Sequence, residues 1–381
     1  MNVVGIVVEY NPFHHGHLHH LTQAKAYAKD GIVIAVMSGS VVQRGEFSCA
    51  DKFQKTAWAL EAGVDLVVEL PGLFSLQSAD LFAQTSVHLL HLLGASHLVF
   101  GSESGDTDAL WRVVDTMEHE GYDPAIKAHL NRGLSYPSAA AKALESLTDN
   151  THHTLPNNIL GIQYLRALRT LGSEIEPIAI HRIDTGYYEA IKTNTTIQSA
   201  SAIREARHQG TAIDAYVPDY VAKDLSKTPL ISLQDWYPYL RYKLTTETAD
   251  ALSEHFGVEE GLEHLFKKHA DAPTFNDFLP RILSPRYTHA KLKRTLMHVL
   301  LGSKKINLKD FSPPYVRVLG MNHQGQRYLN TIKKDLQVPL ITKIEKHKHP
   351  LLEHELIITK TYDLVMSNNL FAAEFKPVRI V

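Results

Sequence analysis

One alternation of pattern constrains this chain more than any other feature. Across residues 1–225, apolar strand-like runs exchange repeatedly with helical stretches. "VVGIVV" leads to a helical segment from about Gly16 to Lys29, followed by "GIVIAVM", "ALEAGVDLVVELP", "LLGASHLVFGS" and "IEPIAIHRI". Repeated strand–helix alternation argues for a parallel sheet covered on both faces. Ligands of such sheets sit outside the carboxyl ends of the strands. Residues 9–17, 38–46, 71–78, 101–106 and 182–188 are therefore the positions where chemistry is expected.

The pattern changes after about residue 225. "LRYKLTTETADALSEHFG" and "AKLKRTLMHVLLG" read as helices; in the second, Leu292, Leu296, Val299 and Leu300 line one face and Gly302 ends it. "PPYVRVLGM" and "VPLITKI" restore strand character from residue 313. We expect an α/β protein in three parts: a Rossmann-like parallel-sheet domain over 1–225, a helical region over 226–310 and a small α/β part over 311–381. A length of 381 residues accommodates two or three domains.

The one cysteine, Cys49, leaves no intrachain disulfide and fits a reducing compartment. The first residues carry no basic stretch leading into a signal-like core, and no run approaches the roughly 18 apolar residues of a membrane span. A cytoplasmic protein without a membrane segment is expected, and no protein partner is evident. The net charge of −2 hides an asymmetry: residues 281–350 hold 15 Lys and Arg against 3 Asp and Glu, a balance of +12 that leaves −14 for the remainder. Such a concentration suits a polyanion, although a solvated basic surface without a partner fits the charge equally well. The segment includes Arg286, Lys291, Lys293, Arg294, Lys304, Lys305, Lys333, Lys334, Lys343, Lys346 and Lys348. Tyr287, Tyr315 and Tyr328 are interleaved and could stack on unpaired bases.

The chemistry is expected where the first strand ends. "EYNPFHHGHLHH", residues 9–20, places five histidines within seven positions. A metal site is one explanation, since His15 and His19 stand four apart, but only Glu9 is a nearby carboxylate and no HExxH or CxxC occurs. A nucleotide site has more behind it. His14-His15-Gly16-His17 forms an H-x-G-H tetrad between a first strand and a first helix, where Gly16 admits close backbone approach and helix amides favour phosphate. His14 and His17 can donate hydrogen bonds to oxygens that gain charge as an α-phosphate is attacked. A second element, "TTIQSASAIREARHQG" at 195–210, supplies Ser199 and Ser201 as helix caps and Arg204 as a guanidinium for pyrophosphate. Taken by itself, that stretch reads more readily as an ordinary capped surface helix. Neither GxxxxGK[ST] nor GxGxxG occurs, which removes support for P-loop and dinucleotide folds.

The tetrad together with "SASAIR" resembles the HxGH nucleotidyltransferase superfamily. The blocks "GIVVEYNPFHHGHLHHL", "MSGSVVQRGEFSCADK", "GVDLVVELP", "FGSE", "LPNNILGIQYL" and "SPRYTHAKLKRTLMHVLL" are together similar to the bacterial tRNA(Met) cytidine acetate ligase family, over nearly the whole chain. That resemblance implies a nucleotidyltransferase-type ATP domain. It also implies activation of acetate by ATP as acetyl-adenylate, with transfer of the acetyl group to N4 of the wobble cytidine of elongator tRNA(Met). The family's ATP site would fall on Val7, Val8, Glu9, Tyr10, Asn11, Pro12, Phe13, His14, His15, Gly16, His17, Leu18, His19 and His20, and on Gly101, Asn157 and Arg182. His14, His17 and Arg204 would act on the reacting phosphates, Ser199 and Ser201 would help hold pyrophosphate, and Mg²⁺ would accompany ATP. No dedicated protein metal site is expected.

Several residues also have plain structural alternatives. Gly101 could be a turn glycine, Asn157 a helix cap, and Arg182 the partner of Asp184 or Glu189. Arg44 could meet the acyl substrate or pyrophosphate. Asp51 and Lys52 could pair at a helix start, Glu9 could orient a histidine or hold magnesium, and one of Asp65 and Glu69 is expected to face the crevice. Two other functions remain open: a small-molecule adenylyltransferase with a phosphate nucleophile, and a non-catalytic RNA- or metal-binding protein.

Overall fold

The computed structural model describes residues 1–148, 155–182, 195–306, 313–367 and 369–381. Ten strands are found among them: β1 (Val3–Val8), β2 (Ile32–Ser38), β3 (Val41–Val42), β4 (Glu46–Phe47), β5 (Leu66–Leu70), β6 (His97–Ser102), β7 (Glu176–His181), β8 (Val316–Met321), β9 (Leu340–Ile341) and β10 (Arg379–Ile380). Eight of them form one sheet in the order β10-β8-β5-β2-β1-β6-β7, with β9 beside β8. The pairs within β5-β2-β1-β6-β7 are all parallel, as the alternation of strands and helices requires.

Both faces of this sheet are apolar, and successive residues feed opposite cores. Ile32, Ile34 and Val36 pack on one side with Leu89, Leu90 and Leu165. Val33, Ala35 and Met37 pack on the other with Leu21, Trp58 and Ile203. The chain starts at β1, moves outward through β2 to β5, and then returns to the other flank of β1 as β6. Strand order therefore reverses between β1 and β6, and a crevice opens there at the carboxyl ends of the two strands.

The described residues of 226–306 are largely helical, and Trp236, Tyr237, Leu240, Phe266, Phe275 and Leu296 belong to a third apolar core. The helix His289–Leu301 buries Leu292, Leu296, Val299 and Leu300 and ends at Gly302, which is left-handed with φ 70°. His298 of the same helix is also buried, against Phe256 and the Leu76 carbonyl.

Among the described residues of 311–381, the strands β8, β9 and β10 join the main sheet. β8 pairs antiparallel with β5, and Asn322 donates its backbone N–H to the Asp65 carbonyl at 2.9 Å. A buried ionic network ties the same segments together. Lys52 Nζ lies 2.8 Å from Glu69 and 2.7 Å from Glu374, while Arg317 reaches Glu69 at 2.7 Å and also bonds Glu374. Asp65 accepts from Val33 N–H and from Asn322 Nδ2. The expectation that Asp65 or Glu69 faces the crevice is thus corrected, because both carboxylates are committed to holding the third segment on the sheet. Lys52 is corrected likewise: it pairs with Glu69 and Glu374, while Asp51 caps its helix through Phe53 and Gln54 N–H.

Candidate active site

The crevice between β1 and β6 contains a cavity of about 640 Å³. Its wall begins with Val7, Val8, Glu9, Tyr10 and Asn11 as β1 ends. Tyr10 leaves the strand with φ 49°, an unusual conformation for an aromatic residue. Packing holds it there: the ring is fully buried, 4.7 Å from Phe13 and 5.0 Å from His17 between centroids. The chain then enters the helix His15–Ala28 through the tetrad.

The tetrad is a capping box made of imidazoles. His14 is the N-cap, and its Nδ1 accepts the Gly16 N–H at 3.0 Å. Three residues on, His17 Nδ1 accepts the His14 N–H at 3.3 Å. The rings lie 3.8 Å apart, tilted by 31°. An imidazole whose Nδ1 accepts a hydrogen bond carries its proton on Nε2, so His14 is an Nε2–H donor. Burial first, then the charge of Arg182, pushes His14 down to about 3. Burial and the neighbouring His14 hold His17 well below the ordinary histidine value, against a hydrogen bond with the Pro12 backbone. The pair is therefore neutral at pH 7. Gly16 leaves room for this arrangement, since a Cβ there would sit 2.8 Å from His14 Cε1.

His20 also lines the cavity, with Nε2 3.1 Å from the Val99 carbonyl, and burial lowers it to about 4. His19 lines the cavity too. Four expected ligands do not: Pro12, Phe13, His15 and Leu18 are outside the cavity wall. Phe13 is a core residue, and Leu18 packs against the same core. A helix exposes only one side to the crevice, so a continuous assignment over residues 7–20 includes residues that support the site from behind.

The β6 side provides a connected set. Asn157, in the first turn of the helix Pro156–Leu171, donates its backbone N–H and its Nδ2 to Glu103 Oε1 at 3.0 and 2.6 Å. Glu103 Oε2 accepts the Asn158 N–H at 2.8 Å, so this carboxylate caps the helix. Asn157 Oδ1 is left to accept from Arg182 Nη1 at 3.0 Å. Gly101 lies under the stem of that arginine, where a Cβ would come 3.0 Å from Arg182 Cγ. Asn157 is thus a cavity residue rather than the helix cap, and Gly101 makes room for Arg182. The alternative partners of Arg182, Asp184 and Glu189, lie outside the described residues, as does the rest of the expected 182–188 segment beyond Arg182.

The second element arrives from the far end of the domain. Ser199 caps the helix Ala200–His208 by accepting the Ala202 N–H, and its hydroxyl lies 3.2 Å from that of Ser201. Arg204 Nη1 donates to the Asn11 carbonyl at 2.7 Å. All three line the cavity, as do Gln43 and Arg44. Phe100, Leu160 and Tyr164 give the cavity an apolar wall suited to a flat base. Sequence reasoning missed this wall and Glu103, because neither a core-like aromatic nor a helix-capping carboxylate carries a local signature of ligand binding.

The expected base-stacking tyrosines are corrected in part. Tyr315 and Tyr328 are buried in the sheet core. Tyr287 remains near the surface and donates its hydroxyl to Glu260. Among the basic residues, Arg286, Lys291 and Lys304 lie 3.7, 3.6 and 3.0 Å from Glu260, Glu259 and Glu254. Lys305, Lys334, Lys343, Lys346 and Lys348 are exposed.

A Rossmann-like parallel sheet with an H-x-G-H turn at its switch point defines a nucleotidyltransferase-fold protein. A family model described as HIGH Nucleotidyl Transferase matches residues 1–375. The chain is 40% identical to the tRNA(Met) cytidine acetate ligase of Bacillus velezensis, covering 96% of this chain and 92% of that one. It is 38% identical to the ligase of the same name from Lysinibacillus sphaericus, covering 98% and 96%. Among solved structures, Thermotoga maritima TmcAL bound with alpha-thio ATP superposes with a TM-score of 0.89 at 28% identity, over 100% of both chains. The chain belongs to the tRNA(Met) cytidine acetate ligase family of HIGH nucleotidyl transferases.

Proposed function

We propose that this chain is an ATP-dependent ligase that acetylates N4 of the wobble cytidine in elongator tRNA(Met). A carboxylate oxygen of acetate attacks the α-phosphorus of ATP in line. The bond to the bridging oxygen breaks, and acetyl-adenylate and pyrophosphate form. His14 presents a neutral Nε2–H donor, and His17 a neutral ring N–H, to the oxygens that gain charge in that step. Arg204, Ser199 and Ser201 receive the leaving pyrophosphate, and Arg182 holds a phosphate from the β6 side. The cytosine amine then attacks the acetyl carbonyl, AMP leaves with the electron pair, and the amine loses its proton. Positioning of the two reactants accounts for this second step without a dedicated base.

Mg²⁺ would enter on the oxygens of ATP itself. The carboxylates among the described lining residues are engaged by backbone N–H groups, Glu9 by Gln43 at 2.7 Å and Glu103 by Asn157 and Asn158. The cation shields phosphate charge when bound, which suits its preference for phosphates and water over an all-protein cage. No helix among the described residues is long and apolar enough to cross a membrane. We place the protein in the cytoplasm, where tRNA and ATP meet, with the exposed lysines of 305–348 as the RNA-facing charge.

The observation that carries this proposal is the paired imidazole box at the β1/β6 crevice. Exchange of labelled pyrophosphate into ATP tests it. Exchange that requires acetate supports it, whereas exchange driven by a phosphomonoester identifies a small-molecule adenylyltransferase. Stoichiometric zinc that disappears with His15→Ala would instead support a metal-binding protein.

A further inference from the structure

Two of the basic residues expected to face RNA, Lys293 and Arg294, meet the hairpin that walls the ATP cavity. The hairpin of β3 and β4 places Gln43 and Arg44 on the cavity wall, and its turn is pressed against the helix His289–Leu301. Gly45 has φ 73°, and a Cβ on it would lie 2.4 Å from Arg294 N, so no side chain fits between turn and helix. Arg294 Nη1 reaches the Gln43 carbonyl at 3.3 Å. Lys293 bonds Glu46 Oε1 directly, and the other oxygen of that carboxylate lies 3.9 Å from Arg204 Nη2. The three side chains are each about 15–21% exposed, sheltered enough for their charges to matter.

Resting on the ATP site proposed above, we infer that Glu46 and Lys293 are positioning residues for Arg204. Glu46 is shared between two cations. While Lys293 occupies one oxygen, Glu46 steers Arg204 without neutralising it, and the guanidinium keeps its bond to the Asn11 carbonyl beside the tetrad. Without Lys293 the carboxylate is left with Arg204 and Arg44 as its cations, and it draws Arg204 away from the Asn11 carbonyl. Burial alone would raise the Glu46 carboxyl, but Lys293 and Arg204 hold it below the usual range, so it is ionised at pH 7. The helical region thereby completes the ATP site through one lysine.

Titration with a nonhydrolysable ATP analogue tests this inference in the full chain. Lys293→Met is expected to weaken binding about fivefold to tenfold. Lys293→Arg retains the charge and should stay within about twofold of wild type. The decisive variant is Glu46→Gln combined with Lys293→Met. Once the carboxylate is neutral the lysine has nothing to offset, so the pair should bind the analogue as Glu46→Gln alone does. A merely structural contact gives no such rescue, and a double variant as weak as Lys293→Met overturns the inference. It is overturned equally if Lys293→Met leaves analogue affinity unchanged while lowering the salt slope of tRNA binding by about one, which marks a phosphate contact to RNA. Failure of the wild-type chain to bind the analogue overturns the ATP site itself.

Discussion

A methyl group on Gly16 would meet the imidazole of His14 at 2.8 Å from its Cε1 atom. The glycine of the tetrad is therefore a spacer for the histidine two residues before it. Gly16→Ala should displace the ring and lower acetate-dependent pyrophosphate exchange at least tenfold. The helix gains up to about 1 kcal/mol from alanine but loses the His14 cap, worth about as much, so Tm should stay close to wild type. Melting and exchange measured on one preparation separate the two effects, and retained exchange would detach His14 from the reaction.

Glu103 should act through Asn157 and Arg182. Glu103→Gln sets an NH₂ group against a backbone N–H where a carboxylate oxygen now accepts, which frees Asn157 to turn and Arg182 to drift. The expected outcome is a KM for ATP raised about fivefold, kcat within about twofold, and about 1 kcal/mol of stability lost with the helix cap. Steady-state kinetics at saturating acetate provide the check. An unchanged KM with the same stability loss would reduce Glu103 to a cap.

Much of this site was legible because its signal is local. The tetrad, the helix after it, the Ser199 cap and the strand ends are each encoded within a dozen residues, and the strand–helix alternation fixes which ends converge. Long-range pairings were not legible. Glu103 meets Asn157 across 54 positions and Lys293 meets Glu46 across 247, and no local pattern marks either pair. The same limit explains β8: its apolar run identifies a strand, but antiparallel pairing with β5 depends on distant Arg317 and Asn322 finding Glu69 and Asp65. Tyr315 and Tyr328 were misplaced because a basic stretch on the surface can still send its aromatics into the core.

Acid should destabilise the fold through its buried histidines. Burial lowers His14 and His298 to about 3, and His20 and His354 to about 4. Unfolded histidine titrates near 6.5, so between that pH and the folded values the unfolded chain binds more protons. Stability is then greatest above pH 6.5 and falls as the pH drops, by up to about 1.4 kcal/mol per pH unit for each group. Urea melts at pH 7.5 and 5.0 should show that loss. His298→Gln should flatten the slope, and an unaltered slope would place the acid sensitivity elsewhere.

Arg317 should be a larger determinant of stability than any surface cation. Arg317→Met leaves Glu69 and Glu374 buried against Lys52 alone, which costs about 3–5 kcal/mol. By contrast, Lys304→Met removes an exposed pair and should change stability by less than about 1 kcal/mol. Denaturant midpoints of the two variants give the comparison, and equal effects would contradict the role of the buried network in joining residues 311–381 to the sheet.

The most direct test of the ligase assignment uses ATP, radiolabelled acetate and bulk tRNA, followed by digestion to nucleosides. The account predicts label in N4-acetylcytidine from tRNA(Met), dependent on ATP, accompanied by AMP and pyrophosphate, and lost with His17→Ala in a chain that still melts cooperatively. Label absent from cytidine, or acetylation that persists without ATP or without His17, would contradict it.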